Sequence, residues 1–237
     1  MKSIILTHKG KRKINQDYVL VQNLNHDTFL FIVADGMGGY EQGEIAARLV
    51  SENILTYLSS VPYIDPNHIQ KAINKANLVI RQFKEKEGVK LGTTIGGAIV
   101  TSKEALCFWV GDVKIFHFKN NILQKESYSH TLMNEVIDKG SIVNPEQIIK
   151  YKHVVTRSVQ GEVNRSQVDY FKVELVEDQD VFVICSDGVS DILNGIQIQQ
   201  ILDSTKSNID AMDIIEKRLL EEAKDNFSLI LTNFNQA

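Results

Sequence analysis

Cysteine is nearly absent from this chain. Only Cys107 and Cys185 occur among 237 residues, each inside an apolar, strand-like run. Two thiols make no disulfide framework at this length, so they read as small buried hydrophobes in a protein of a reducing compartment. Prolines are also few: the three are scattered at 62, 66 and 145, and no Pro/Ser-rich linker divides the sequence. One continuous domain over 1–237 is the expectation. Long hydrophobic runs are missing, and none approaches the roughly 20 apolar residues of a membrane span. The Ile4-Ile5-Leu6 run behind Met1-Lys2-Ser3 is too short for the apolar core of a signal peptide. The expectation is a cytoplasmic protein with no membrane partner. A surplus of positive charge is lacking too. The 26 Lys and Arg stand against 30 Asp and Glu, a net charge of −4, so no nucleic-acid partner is expected. No closely spaced Cys/His set exists to hold zinc. The six histidines share no spacing and read as surface or satisfied core residues.

What is present is an ordinary globular composition, 43% apolar and 24% charged, ample for a substantial core. Strand-like runs at 3–8, 18–22 and 28–34 precede two helical patterns. Segment 41–58 carries Ala46, Ala47, Val50, Ile54, Tyr57 and Leu58 at helical spacing. Ile69, Ala72, Ile73, Ala76, Ile80 and Phe83 mark one face of a second helix, closed by Gly88. Short β-like runs follow at 93–101, 105–110 and 113–118, with turns at Gly111-Asp112 and Asn120-Asn121. A helical stretch at 130–139 and an irregular region at 140–165 lead to strands at 168–175 and 181–186. Helices near 195–203 and 208–223 and a last strand at 227–232 complete the chain. Strands grouped with strands, and helices arriving in pairs, argue against a βαβ parallel sheet. The fold class read from this order is α+β, antiparallel sheets packed together with helices on the outer faces.

Two of the apolar runs end on Asp-Gly. One is Phe29 to Ala34 before Asp35-Gly36, and the other Val181 to Ser186 before Asp187-Gly188. Each reads as a buried strand that stops on a carboxylate. An ionised carboxylate beside a hydrophobic interior is costly without a compensating partner. Asp-Gly is a common turn pair, which accounts for either one alone. Further acids share the position: Asp17, Asp112 and Asp225 sit at strand boundaries, and Asp191 follows Asp187 by four residues. Carboxylates gathered from several strand ends point to a metal. Oxygen donors without His or Cys companions favour hard cations, Mg²⁺ or Mn²⁺. The residues after Asp35 lack EF-hand ligand spacing, and no Lys-Ser/Thr follows Gly36, Gly38 and Gly39 as a phosphate loop requires. Those glycines instead let the backbone approach an ion, so that a carbonyl can serve as ligand. Two such cations sharing a carboxylate acidify a bridging water for in-line attack on phosphorus. A phosphate dianion also needs a positive anchor. Arg12, within the basic cluster Lys9–Lys13, offers a planar fork of donors, although the cluster taken alone is a solvated loop.

The ordered set Arg12-Lys13-Ile14-Asn15-Gln16-Asp17, Asp35-Gly36-Met37-Gly38-Gly39, Gly92-Thr93-Thr94, Gly111-Asp112, Ser186-Asp187-Gly188-Val189-Ser190-Asp191 and Asp225-Asn226 resembles the metal-dependent protein serine/threonine phosphatases, the protein phosphatase 2C or PPM family. It is most similar to the compact bacterial type. The resemblance covers essentially the whole chain. It implies a four-layer αββα sandwich of two antiparallel β-sheets flanked by helices. It further implies that Asp35 bridges two metals, that the Gly36 carbonyl binds one, and that Asp187 and Asp225 complete the other site. Asp17 would act from behind the ligands through water, and Arg12 would bind phosphate. Asp112 and Asp191, with Asp187, match a third and weaker metal position. The implied substrates are phosphoserine and phosphothreonine proteins, among them a serine/threonine kinase or its targets. Some positions depart from the pattern. Met37 replaces the His of eukaryotic members, Ser129-His130-Thr131 replaces Asp-His-Ser, and Lys152-His153 stands where an Arg-Asn pair is usual. Two other readings remain: a catalytically inactive phosphatase-like binding protein, and a phosphatase of small phosphoesters.

Overall fold

The computed structural model describes residues 2–37, 42–140, 148–176 and 179–233. Its apolar runs pair into two five-stranded antiparallel sheets. The first contains β2 (Asp17–Asn25), β3 (Thr28–Met37), β4 (Gly92–Val100), β5 (Glu104–Val110) and β8 (Asp169–Glu174), in the order β2-β3-β4-β5-β8. The second contains β1 (Lys2–His8), β6 (Lys114–Lys119), β7 (Ile122–Glu126), β9 (Asp180–Cys185) and β10 (Phe227–Asn233), in the order β1-β10-β9-β6-β7.

Three apolar clusters define four layers. Ile32, Phe108 and their neighbours on one face of the first sheet pack against Ile54, Ile69 and Ile73 of helices α1 (Gly43–Leu58) and α2 (Pro66–Glu87). Phe31, Cys107, Trp109, Phe182, Ile184 and Ile230 fill the space between the sheets. Phe116, Val183 and Leu229 on the far face of the second sheet pack against Ile198 and Ile215 of helices α5 (Gly195–Ser204) and α6 (Asn208–Glu222). Both cysteines are buried and free, as expected of small hydrophobes. The α+β sandwich of antiparallel sheets with outer helices is therefore the observed architecture. Each fully buried Leu, Ile or Phe contributes about 1.5–3 kcal/mol, so a core of this extent can offset the crowding of charge described below. Among the described residues, the short helices α3 (Leu132–Asp138) and α4 (Asp187–Ser190) lie in the connections. Among the described residues no helix is long and apolar enough to cross a membrane.

The helix boundaries follow local chemistry. Asp65 caps α2 by accepting from the His68 N–H at 2.8 Å, Pro66 occupies its first turn, and Gly88 closes it at φ +67°. Two expectations change. Strand β3 does not stop on Asp35 but runs to Met37, because Gly36 and Met37 still pair with Thr93 and Gly92 of β4. Strand β7 was not anticipated: its Ile-Leu-Gln-Lys-Glu sequence is an exposed edge with little apolar alternation. It is created by the turn at Asn120 and Asn121, whose φ values of 49° and 61° suit a tight hairpin. Of the irregular region 140–165, residues 141–147 lie outside those described, and two single turns of 3₁₀ helix occupy Ile149–Tyr151 and Val163–Arg165.

Candidate metal centre

The centre is assembled by strand register. Antiparallel pairing places Asp17 of β2 beside Asp35 of β3, and Asp35 beside Thr94 of β4. The second sheet brings its own carboxylates from the β9 end and the β10 start. The Ser186 N–H donates to the Ser228 carbonyl at 3.0 Å, which ties the two strands together at that point. Asp187-Gly188 then abuts Asp225-Asn226 so closely that a β-carbon on Gly188 would lie 2.0 Å from the Asn226 carbonyl oxygen. Gly36 is under the same constraint, since a β-carbon there would lie 2.1 Å from the Gly43 carbonyl oxygen at the start of α1. Residues at these two positions must be glycine for the surrounding backbone to close.

Asn226 is a clamp that the sequence did not announce. Its side-chain amide donates to the carbonyls of Lys9 and Ile14, both at 2.9 Å, and its oxygen accepts from the Gln16 N–H at 2.9 Å. The basic loop is thereby wrapped over Asp225. Arg12 donates to that carboxylate through Nε at 2.8 Å and Nη2 at 2.6 Å, a two-bond fork that leaves Nη1 outside it.

Arg12, Asp35, Gly36, Asp112, Asp187 and Asp225 line one cavity of about 790 Å³, together with Lys11, Lys13, Met37, Thr94 and His153. Asp17 lies behind this wall. One of its oxygens accepts from the Ser186 hydroxyl at 2.8 Å, while Oδ1 is buried without a hydrogen-bond partner. Asp191 does not line the cavity. It caps the end of α4, its own N–H donating to the Asp187 carbonyl at 2.8 Å, and its carboxylate accepts from Lys152 Nζ at 2.6 Å.

Asp112 is positioned from outside by His130. Gly111 takes a positive φ of 111°, and its N–H donates to His130 Nδ1 at 3.0 Å. Because Nδ1 accepts, the neutral ring carries its proton on Nε2, which donates to Asp169 at 3.0 Å. Arg157 Nη1 holds the other oxygen of Asp169 at 2.9 Å. The His130 N–H in turn donates to the Gly111 carbonyl at 2.9 Å. His130 thus fixes the turn that delivers Asp112.

The carboxylates are crowded beyond what one arginine can neutralise. Burial, then the charges of Asp17, Asp187, Asp112 and Asp225, holds the Asp35 carboxyl well above the usual carboxylate range. Burial, followed by the charges of Asp112, Asp191 and Asp225, pushes Asp187 up to about 7. Asp17 is pushed up to about 6 by burial, against the opposing hydrogen bond of Ser186. Asp112 is raised as well, chiefly by burial. A pocket of acids that ionise reluctantly, with an unpartnered carboxylate oxygen behind it, fits a multivalent cation. The donors are oxygens, which suits Mg²⁺ or Mn²⁺. Sequence reasoning missed Asn226 as a clamp, His130 as a support and His153 as a cavity residue. Only the fold brings these residues to the centre.

The chain matches the family model described as protein phosphatase 2C over residues 6–222. It is 27% identical over 235 residues to the serine/threonine phosphatase stp of Listeria monocytogenes, covering 95% of this chain and 92% of the relative. The fold is similar to that of the S. agalactiae serine/threonine phosphatase, with a TM-score of 0.88, 23% identity and 99% of both chains covered. It is similar also to the catalytic domain of the serine/threonine protein phosphatase PstP in complex with two manganese ions, with a TM-score of 0.82, 21% identity and coverage of 99% of this chain and 98% of that one.

Proposed function

This chain belongs to the protein phosphatase 2C family, and on that premise we propose that its carboxylate cavity removes phosphate from phosphoserine and phosphothreonine in proteins. The observation that carries this reading is the convergence of Asp35, Asp187 and Asp225 with Arg12 on a single cavity. Asp35, Asp187, Asp225 and the Gly36 carbonyl would hold two divalent cations, Mg²⁺ or Mn²⁺, and Asp112 and Asp191 would extend the set toward a third beside Asp187. When bound, such ions acidify a water and neutralise charge on the transferring phosphoryl group.

The remaining work falls to the chain itself. Arg12 stands at the cavity rim with its side chain 61% exposed, and Nη1, left outside the fork to Asp225, can donate to a phosphoryl oxygen. Lys11 and Lys13 add positive charge at the same wall, which favours a phosphorylated or acidic segment. Asp17 would orient water at the cavity floor through its free oxygen while Ser186 holds the other. Met37 lines the wall where eukaryotic relatives carry a histidine, and a thioether has no proton to give. The proton for the leaving serine or threonine oxygen would therefore come from water or from another group at the cavity as the P–O bond breaks. A serine/threonine kinase or its targets would supply the phosphoproteins. The inactive-protein reading has no support in the carboxylate set, because none of its members is missing.

The test is phosphate release from a phosphothreonine peptide with Mn²⁺ and with a chelator, set beside sugar phosphates. Mn²⁺-dependent release that is faster for the peptide and lost in Asp187→Asn is the expected outcome. Comparable release from sugar phosphates would move the substrate to small phosphoesters, and full activity in Asp187→Asn would remove the site.

A further inference from the structure

Behind Asp112, two groups ask opposite things of one nitrogen. His130 Nε2 lies 3.0 Å from Asp169 Oδ2, an acceptor, and 3.3 Å from Arg157 Nη1, which can only donate. At the other end of the ring Nδ1 accepts from the Gly111 N–H at 3.0 Å. Burial holds the His130 pKa below its ordinary value, which keeps the ring neutral with one proton to place. The bond made by one ring nitrogen fixes the role of the other. With the proton on Nε2, Asp169 and Gly111 are both satisfied. With the proton on Nδ1, Nε2 turns to Arg157, and two N–H groups face each other beside Asp112. The His130 side chain is 5% exposed, so water is poorly placed to relieve that conflict.

Strand register brings Asp169 to this choice. Asp169 of β8 pairs with Trp109 of β5, the strand that runs into Gly111-Asp112. One oxygen of Asp169 serves the Arg157 guanidinium at 2.9 Å and the other serves the imidazole. The turn has little slack on its other side, where a β-carbon on Gly111 would lie 2.4 Å from the Thr94 side chain. Asp169 is not among the residues lining the cavity, so any effect it has on the centre passes through His130.

We propose that Asp169 is a positioning residue for the metal centre: by holding the His130 proton on Nε2 against the pull of Arg157, it leaves Nδ1 free to fix the Gly111 turn and so the aim of Asp112. The inference rests on the reading of Asp112 as a cation ligand at that centre. Its direction is specific. Asn at 169 has one carbonyl oxygen for two donors. The charged Arg157 makes the stronger bond and takes it, so the Asn amide faces Nε2 and the ring proton moves to Nδ1. Removing Arg157 as well frees the Asn carbonyl for Nε2–H, so the second substitution should undo the first.

Long-range proton–nitrogen NMR of the histidine rings, on the metal-free full chain, reads the tautomer. Wild-type His130, identified by the signal missing from His130→Gln, should be protonated on Nε2. Asp169→Asn should move the proton to Nδ1, and Asp169→Asn with Arg157→Ala should return it to Nε2. Calorimetric titration with Mn²⁺ reads the consequence. One equivalent should bind roughly tenfold or more weakly in Asp169→Asn and recover in the double variant, a pattern that lost packing alone does not produce. Wild-type His130 protonated on Nδ1 overturns the inference. So does unchanged Mn²⁺ binding in Asp169→Asn, and if Asp187→Asn is inactive that result removes the positioning role alone. Full activity in Asp187→Asn would remove the metal reading beneath it.

Discussion

Replacing Asp187 by Asn should make the metal-free protein more stable while destroying its activity. Asp187 is raised from the ordinary 3.8 to about 7, first by burial and then by its acidic neighbours. A group whose native pKa lies above its unfolded value stabilises the fold only while protonated. The wild-type protein without metal should therefore lose stability as pH rises from about 4 through about 7, the window that this rise spans. The full difference corresponds to about 4 kcal/mol at pH 8, of which Asn should recover about 2–3 kcal/mol, since its own amide needs partners in the crowded site. At pH 4, where the carboxyl is already largely neutral, the gain should nearly vanish. Urea unfolding of both proteins in a chelator, at pH 4 and pH 8, measures this. At pH 8 the midpoint should shift upward by about 1 M or more. Saturating Mn²⁺ should reverse the order at pH 8, because only the carboxylate rewards the ion with native-state binding. An Asn variant no more stable than wild type at pH 8, or equally stabilised at both pH values, would refute the reasoning.

Two further outcomes follow from single contacts. Arg12→Ala should lower kcat/KM for a phosphopeptide about 10- to 100-fold, the equivalent of losing charged hydrogen bonds to phosphate, with Arg12→Lys only partly restoring it because the fork is lost. Steady-state kinetics at saturating Mn²⁺ checks this, and an unaltered Arg12→Ala variant would exclude the anchor role. His130→Ala should destabilise the protein by about 1–3 kcal/mol, because the Gly111 N–H loses its acceptor beside Asp112. Denaturant unfolding checks that figure, and a midpoint indistinguishable from wild type would show that the turn holds without His130.

The layers of this fold were legible because their signals are local. Helix α2 displays its buried face at every third or fourth residue between a capping Asp65 and Gly88. The central strands are unbroken apolar runs. Strand β7 was not legible because an exposed edge needs no apolar alternation, and the Asn120-Asn121 turn alone does not say how far pairing continues. Asp35 was legible as a carboxylate placed against an apolar interior. Its partner across the sheet was not, since setting Asp17 opposite Asp35 is a property of register between two strands. The same limit hid His153 and Lys152. Both lie in an irregular stretch, and their distance to Asp187 and Asp191 exists only after the 148–157 segment folds back onto the sandwich. The basic cluster taken alone read as a solvated loop, although Arg12 within it was singled out as a phosphate anchor; that Asn226 binds this loop over Asp225 is a contact between distant parts of the chain.

The central claim is that Asp35, packed between both sets of carboxylates, makes the cavity a metal-dependent phosphoprotein phosphatase. The most direct measurement is the initial rate of phosphate release from a phosphothreonine peptide as a function of Mn²⁺ concentration, for wild type and Asp35→Asn. The account predicts a saturable rise for wild type and a rate at background for Asp35→Asn at every Mn²⁺ concentration, with the variant still folded. An Asp35→Asn protein that reaches the wild-type rate, even at higher Mn²⁺, would contradict it.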